Sequence, residues 1–69
     1  MAVLNAIDLT GASKQGWEEA AQEVLREAAK TLRLIQRMEV IGTSATIEGG
    51  EITEYRTHVR LYFQVDTAR

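Results

Sequence analysis

The chain has no cysteine, no proline and no long apolar run. Without cysteine it has neither a disulfide to reinforce a small fold nor a thiolate metal site. A thiol-free chain suits a reducing compartment, and the cytoplasm is the expected location. No stretch approaches the roughly 18 apolar residues a membrane-spanning helix needs, and no secretory signal is visible, so no membrane partner is expected. Positive charge is scarce: eight Lys and Arg against ten Asp and Glu leave a net charge of −2, which argues against nucleic acid as a partner. Linkers, repeats and low-complexity tracts are missing too, so residues 1–69 read as one domain. A domain this short buries only about 60% of the surface its unfolded chain exposes. Its apolar content of 45% permits folding, but self-association is the expected source of further stability.

What is present is pattern. Residues 2–10 predict a strand, with Val3, Ile7 and Leu9 pointing one way and Leu4, Ala6, Asp8 and Thr10 the other. Gly11-Ala12-Ser13 is expected to break it, with Ser13 as the helix N-cap. Trp17, Ala20, Ala21, Val24, Leu25, Ala28 and Leu32 recur at three- and four-residue steps and predict a helix over 17–34, fraying near Leu34 to Gln36. Glutamates gather near its start and Lys30 and Arg33 near its end, as the helix dipole favours.

Residues 36–66 predict a hairpin about Gly49-Gly50, a pair suited to a primed turn with positive φ. Tyr55, Thr57, Val59, Leu61, Phe63 and Val65 alternate with Glu54, Arg56, His58, Arg60, Tyr62 and Gln64. Pivoting the arms sets Glu48 opposite Glu51, Val40 opposite Val59, and Met38 opposite Leu61. On the other face Glu39 meets Arg60, Arg37 meets Tyr62, Thr43 meets Arg56 and Ile41 meets His58. Gly42 is a candidate bulge, because so long a hairpin must curl around one helix. The order β-α-β-β, with the first strand beside the third, gives an α+β fold: a three-stranded antiparallel sheet wrapped on one helix. Its uncovered sheet and long edges predict a closed homo-oligomer.

With that order, the residues Ile7-Asp8-Leu9, Gly11-Ala12-Ser13, Trp17-Glu18-Glu19-Ala20-Ala21-Gln22, Lys30-Thr31-Leu32-Arg33, Glu39-Val40, Ile47-Glu48 with Gly50, Tyr55 and Phe63 resemble the dodecin family along nearly the whole chain. The resemblance implies a hollow, twelve-subunit cage of tetrahedral symmetry. It implies storage or buffering of flavins such as riboflavin or FMN, held in pairs near two-fold axes, rather than enzymatic activity. The family's flavin-stacking tryptophan lies two residues before the Glu-Val of the second strand, where this chain has Arg37. Its ring-binding glutamine follows the tyrosine of the third strand, where this chain has Arg56. The family's polar stretch after Glu-Val is Gly42-Thr43-Ser44 here. Trp17 is no substitute, because it is expected in the core stripe. The resemblance therefore implies an intact cage whose flavin site is weakened or altered.

Candidate ligand-binding residues are Arg37, Arg56, His58 and Tyr62, grouped with Arg60 on the polar face. Two readings stay open for the arginines. They form an anion-accepting pocket, since guanidinium offers a planar fork of donors, or they make salt bridges to Glu39, to Glu54 or across subunits. Tyr62 can pair with Arg37 through a cation–π contact or offer its ring to a ligand. Glu48 and Glu51 flank the turn and read as solvated. His58 is the single histidine, and with no base expected near Ser44 or the threonines, neither a catalytic constellation nor a metal site is predicted.

Overall fold

The computed structural model describes residues 3–64; Ala2, Val65 and Asp66, assigned above to the ends of strands, lie outside the described residues. The elements are β1 (Leu4–Ser13), α1 (Trp17–Ala28), β2 (Ile35–Glu48) and β3 (Glu51–Gln64). They form one antiparallel sheet in the order β1-β3-β2, so the expected β-α-β-β fold holds and β3 is the central strand.

β1 does not break at Gly11. It runs on to Ser13, with Gly11 opposite Thr57 in the ladder. A Cβ at Gly11 would lie 2.0 Å from the Ala20 carbonyl oxygen and 2.6 Å from Val24 Cγ2. The glycine serves close approach of strand and helix rather than a turn. Nor is Ser13 the helix cap. Its hydroxyl accepts from the Gln15 N–H at 2.9 Å, and the helix begins after Gly16 without a side-chain cap.

α1 ends at Ala28, six residues short of the expected 17–34 span. The chain then tightens, with Lys30 N–H donating to the Glu27 carbonyl and Thr31 N–H to the Ala28 carbonyl. Leu34 takes φ +58°, a left-handed conformation that swings the chain into β2. Leu32 still packs on the core from beyond the helix end, which prolongs the apolar periodicity past the helix itself.

The helix rests on β1 and β3. Val24 and Ala28 meet Val59 and Leu61, with Ile7, Leu9 and Met38 packed around them. Val59 and Leu61 are 1% and 0% exposed, and complete burial of such side chains is worth roughly 1.5–3 kcal/mol each. Trp17 is not in this core: it is 42% exposed. Its indole N–H donates to the Ser44 carbonyl at 2.9 Å, and its ring meets Tyr55 edge-on at 4.8 Å. It braces the start of the helix against the hairpin.

The hairpin turns at Gly49 and Gly50, with φ of +59° and +79°. Near the turn and at the far end the predicted register holds, from Glu48–Glu51 to Val40–Val59, Glu39–Arg60, Met38–Leu61 and Arg37–Tyr62. Between them it is offset by one. Thr46 pairs with Glu54, Ser44 with Arg56, Thr43 with Thr57 and Gly42 with His58. The predicted Thr43–Arg56 and Ile41–His58 pairs are thus replaced. The extra residues of this stretch are Thr53 on β3 and Ile41 on β2, next to the expected bulge at Gly42, and these two offsets cancel; a third irregularity at Gln36 sets Ile35 opposite Phe63 at the start of β2. By the ladder, they keep Thr43, Ala45 and Ile47 on the helix side and turn Ser44 and Thr46 to the other. A 12-residue helix is about 18 Å long, whereas a 14-residue strand reaches about 46 Å. Much of the hairpin is therefore uncovered, and Val40 and Ile47 are more than half exposed. The overall extents, 55 × 20 × 12 Å, reflect that projecting arm.

Candidate functional site

The sheet face turned away from α1 carries Arg56, His58, Arg60 and Tyr62 at alternate positions of β3. Because β3 is central, each has neighbours on both flanking strands.

At one end the Arg37 guanidinium carbon lies 4.7 Å from the centre of the Tyr62 ring. An exposed cation–π contact of this kind contributes about 0.5–1 kcal/mol. The Tyr62 hydroxyl donates to Glu39 at 3.0 Å, and Glu39 also lies 3.8 Å from Arg37. Next along β3, Arg60 makes a two-pronged contact to Asp8, from Nε at 2.7 Å and Nη2 at 3.1 Å. The partner of Arg60 is thus on β1, although Glu39 is its cross-strand neighbour on β2. The Arg60 hydrogen bond, reinforced by its charge and opposed by desolvation, holds the Asp8 carboxyl below its ordinary pKa. At the other end Arg56 donates from Nε to Glu54 at 2.9 Å.

His58 lies between the two arginines of β3 and makes contacts that its sequence neighbours do not predict. Thr10 Oγ1 on β1 is 2.9 Å from Nδ1, and Ser44 Oγ on β2 is 3.2 Å from Nε2. The expectation that no base lies near Ser44 is therefore corrected. Gly42, with no side chain, is the residue directly opposite His58, which leaves the imidazole free to lie diagonally toward Ser44. Thr10 is the direct partner of His58 in the regular β1–β3 ladder, whereas only the offset register of the hairpin puts Ser44 on this face, so regular alternation of the hairpin carries no signal of its approach.

The four candidate residues share one face, but Arg37 and Arg56 are far apart on it. Arg37 pairs with Tyr62, six residues along β3 from Arg56, which corresponds to about 20 Å. Within one chain the backbones of the two arginines are thus separated by about six residues of strand. On the opposite side of the sheet, a groove of about 440 Å³ runs between β1 and α1, lined by Ile7, Leu9, Val24, Ala28 and Leu32, with Glu23 and Glu27 beside them.

An open antiparallel sheet of order β1-β3-β2 with one helix across it and a long projecting hairpin defines a small α+β class. The family model for dodecin matches residues 3–66, and the chain belongs to the dodecin family. It is 33% identical over 64 residues to a dodecin of Thermus thermophilus, covering 93% of each chain. A crystal structure of an arginine-to-alanine variant of the T. thermophilus dodecin superposes with a TM-score of 0.91 at 32% identity, covering 96% of this chain and 98% of that one. The Streptomyces coelicolor dodecin gives a TM-score of 0.93 at 22% identity over 97% and 96% of the two chains, a likeness of fold alone. A calcium-chelating dodecin of Mycobacterium tuberculosis gives 0.82 at 28% identity, over 97% and 96%. Dodecins are small non-enzymatic flavin-binding proteins, and members of the family form multimeric assemblies.

Proposed function

We propose that this chain assembles in the cytoplasm into a hollow homododecamer and acts as a small-ligand binding and storage protein, without enzymatic activity, whose binding of riboflavin or FMN is weakened or altered. The observation that carries this reading is the condition of Arg37 and Arg56. By family resemblance they stand where a stacking tryptophan and a ring-binding glutamine belong. The Arg37 guanidinium is a smaller plane than an indole, and Tyr62 already lies against it. Arg56 is engaged by Glu54, and it can only donate, whereas a glutamine amide both donates and accepts along a heterocycle edge. These residues fit a flavin less well than the pair they replace.

Assembly is supported by the exposed apolar residues of the projecting arm and by the wide separation of the two arginines. A second copy of the chain can bring both positions to one pocket. A second reading is favoured by the ion pairs themselves. Each arginine of this face lies against a carboxylate of the same sheet, which supports a structural cage that has lost flavin binding, its arginines serving subunit contacts or another anionic ligand.

Native mass spectrometry after incubation with excess riboflavin phosphate tests the reading. A twelve-subunit mass carrying few or weakly held flavins supports it. Tight, full flavin loading overturns the weakened site, and a monomer overturns the cage. Arg56→Ala separates the two roles of the arginines: loss of ligand binding in an intact oligomer supports the binding role, and loss of the oligomer the structural one.

A further inference from the structure

We propose that Ser44, His58 and Thr10 form a nucleophilic relay through which Ser44 accepts an acyl group from an activated ester. A hydroxyl nucleophile needs a base within hydrogen-bond reach, and the base needs a partner that fixes its orientation. Here each imidazole nitrogen has one hydroxyl beside it, Ser44 Oγ at 3.2 Å from Nε2 and Thr10 Oγ1 at 2.9 Å from Nδ1. With Nδ1–H donating to Thr10, the Nε2 lone pair is directed at the Ser44 hydroxyl. Ser44 is the acceptor of the pair, because its primary hydroxyl is exposed and less hindered than the secondary hydroxyl of Thr10. Arg56 is the direct cross-strand neighbour of Ser44. Its guanidinium is held by Glu54 through Nε, and its Nη groups supply hydrogen-bond donors beside the carbonyl oxygen as that oxygen becomes negative.

In the step, Ser44 Oγ bonds to the acyl carbon while its proton passes to His58 Nε2. The bond from the acyl carbon to the leaving oxygen breaks, and that oxygen leaves with the electron pair and takes up the proton. No further reactant is consumed. Thr10 is a positioning residue, and as a neutral hydroxyl it stabilises imidazolium less than a carboxylate does. The outcome is a modified serine rather than rapid turnover, which is compatible with a storage protein; because Ser44 and Arg56 fall at positions of the family's flavin site, the step rests on that site being open to the ester.

The test uses the assembled full chain and p-nitrophenyl acetate. The expected result is a burst of p-nitrophenolate stoichiometric with chains, with the acetyl group mapped to the Ser44 peptide. Ser44→Ala abolishes the burst, and His58→Gln slows it about 100-fold, the low end for a lost general base. Thr10→Val slows it and Thr10→Ser restores it, a rescue that a merely structural role for the residue does not give. Circular dichroism and native mass verify that the variants fold and assemble. Ser44→Ala removes only a hydroxyl from an exposed position, so it carries the test if His58→Gln misfolds. Acetylation confined to lysines, no burst, or a burst unchanged in Ser44→Ala overturns the relay.

Discussion

Replacing Gly11 by alanine places a methyl group where the helix backbone already is. The new Cβ would sit 2.0 Å from the Ala20 carbonyl oxygen, about 1.4 Å inside the 3.4 Å at which ordinary contact begins. Ala20 cannot yield like the end of a flexible side chain, because the clashing atom belongs to the helix backbone and Ala20 itself is completely buried. Relief requires α1 to lift from β1 by more than an ångström, which loosens Val24 and Ala28 against Val59 and Leu61. Overpacking of a close-packed core costs typically 1–3 kcal/mol, and a backbone clash belongs at the upper end, near 3 kcal/mol. A chain of 69 residues has about 3–10 kcal/mol of stability in total, so most of a marginal margin is removed. The assay is urea unfolding at one fixed protein concentration, since association shifts apparent stability. Gly42→Ala is the control: a Cβ there meets nothing within 4 Å, and its effect is expected within about 0.5 kcal/mol. Equal effects for the two substitutions would refute the close-approach argument.

Arg37→Trp combined with Arg56→Gln is expected to raise affinity for riboflavin phosphate in a fluorescence-quenching titration, and no gain would locate the change in Gly42-Thr43-Ser44 instead. Leu34→Gly is expected to be neutral or to stabilise by up to about 1 kcal/mol in thermal unfolding, because glycine adopts positive φ without Cβ strain and Leu34 is half exposed; clear destabilisation would show that its side-chain contacts outweigh the strain. Asp8 has a folded-state pKa below its ordinary value, so its ion pair with Arg60 contributes stability above the unfolded pKa of about 4 and loses it as pH falls through the folded pKa. Urea midpoints measured from neutral to acid pH should therefore fall less for Asp8→Asn than for the parent chain, and matching acid limbs would remove the linkage.

The alternation of β3 made its two faces legible, and the Gly-Gly pair located the turn, because both patterns have one physical origin each. The helix end was not legible. Leu32 continues the apolar stripe by packing from a turn, and no residue type announces the left-handed Leu34. Gly11 carried an ambiguous signal, since a strand break and a close approach both call for glycine, and only the position of Ala20 distinguishes them. The middle of the hairpin was hidden more thoroughly. Extra residues at Ile41 and Thr53 cancel, so pairings near the turn and from Val40 to Arg37 look continuous while those between are displaced. The grouping of Arg37, Arg56, His58 and Tyr62 on one face survived that displacement. Their spacing did not follow from it, nor did the convergence of Ser44 and Thr10 on His58.

The strand order also governs when this fold can form. β3 is the last of the four elements to leave the ribosome, yet β1 and β2 both bond to it. Pairs such as Leu4–Gln64 and Ser13–Tyr55 join distant parts of the sequence, so although β2 and β3 meet in a hairpin, the β1 half of the sheet rests on non-local contacts of the kind that slow folding. Until β3 emerges, β1 has no neighbour and the apolar stripe of α1 lacks Val59 and Leu61. Synthesis thus presents a long interval with nothing to protect these surfaces, followed by closure in a single event. A chain cut before β3 does not lose one strand of three; it loses the sheet.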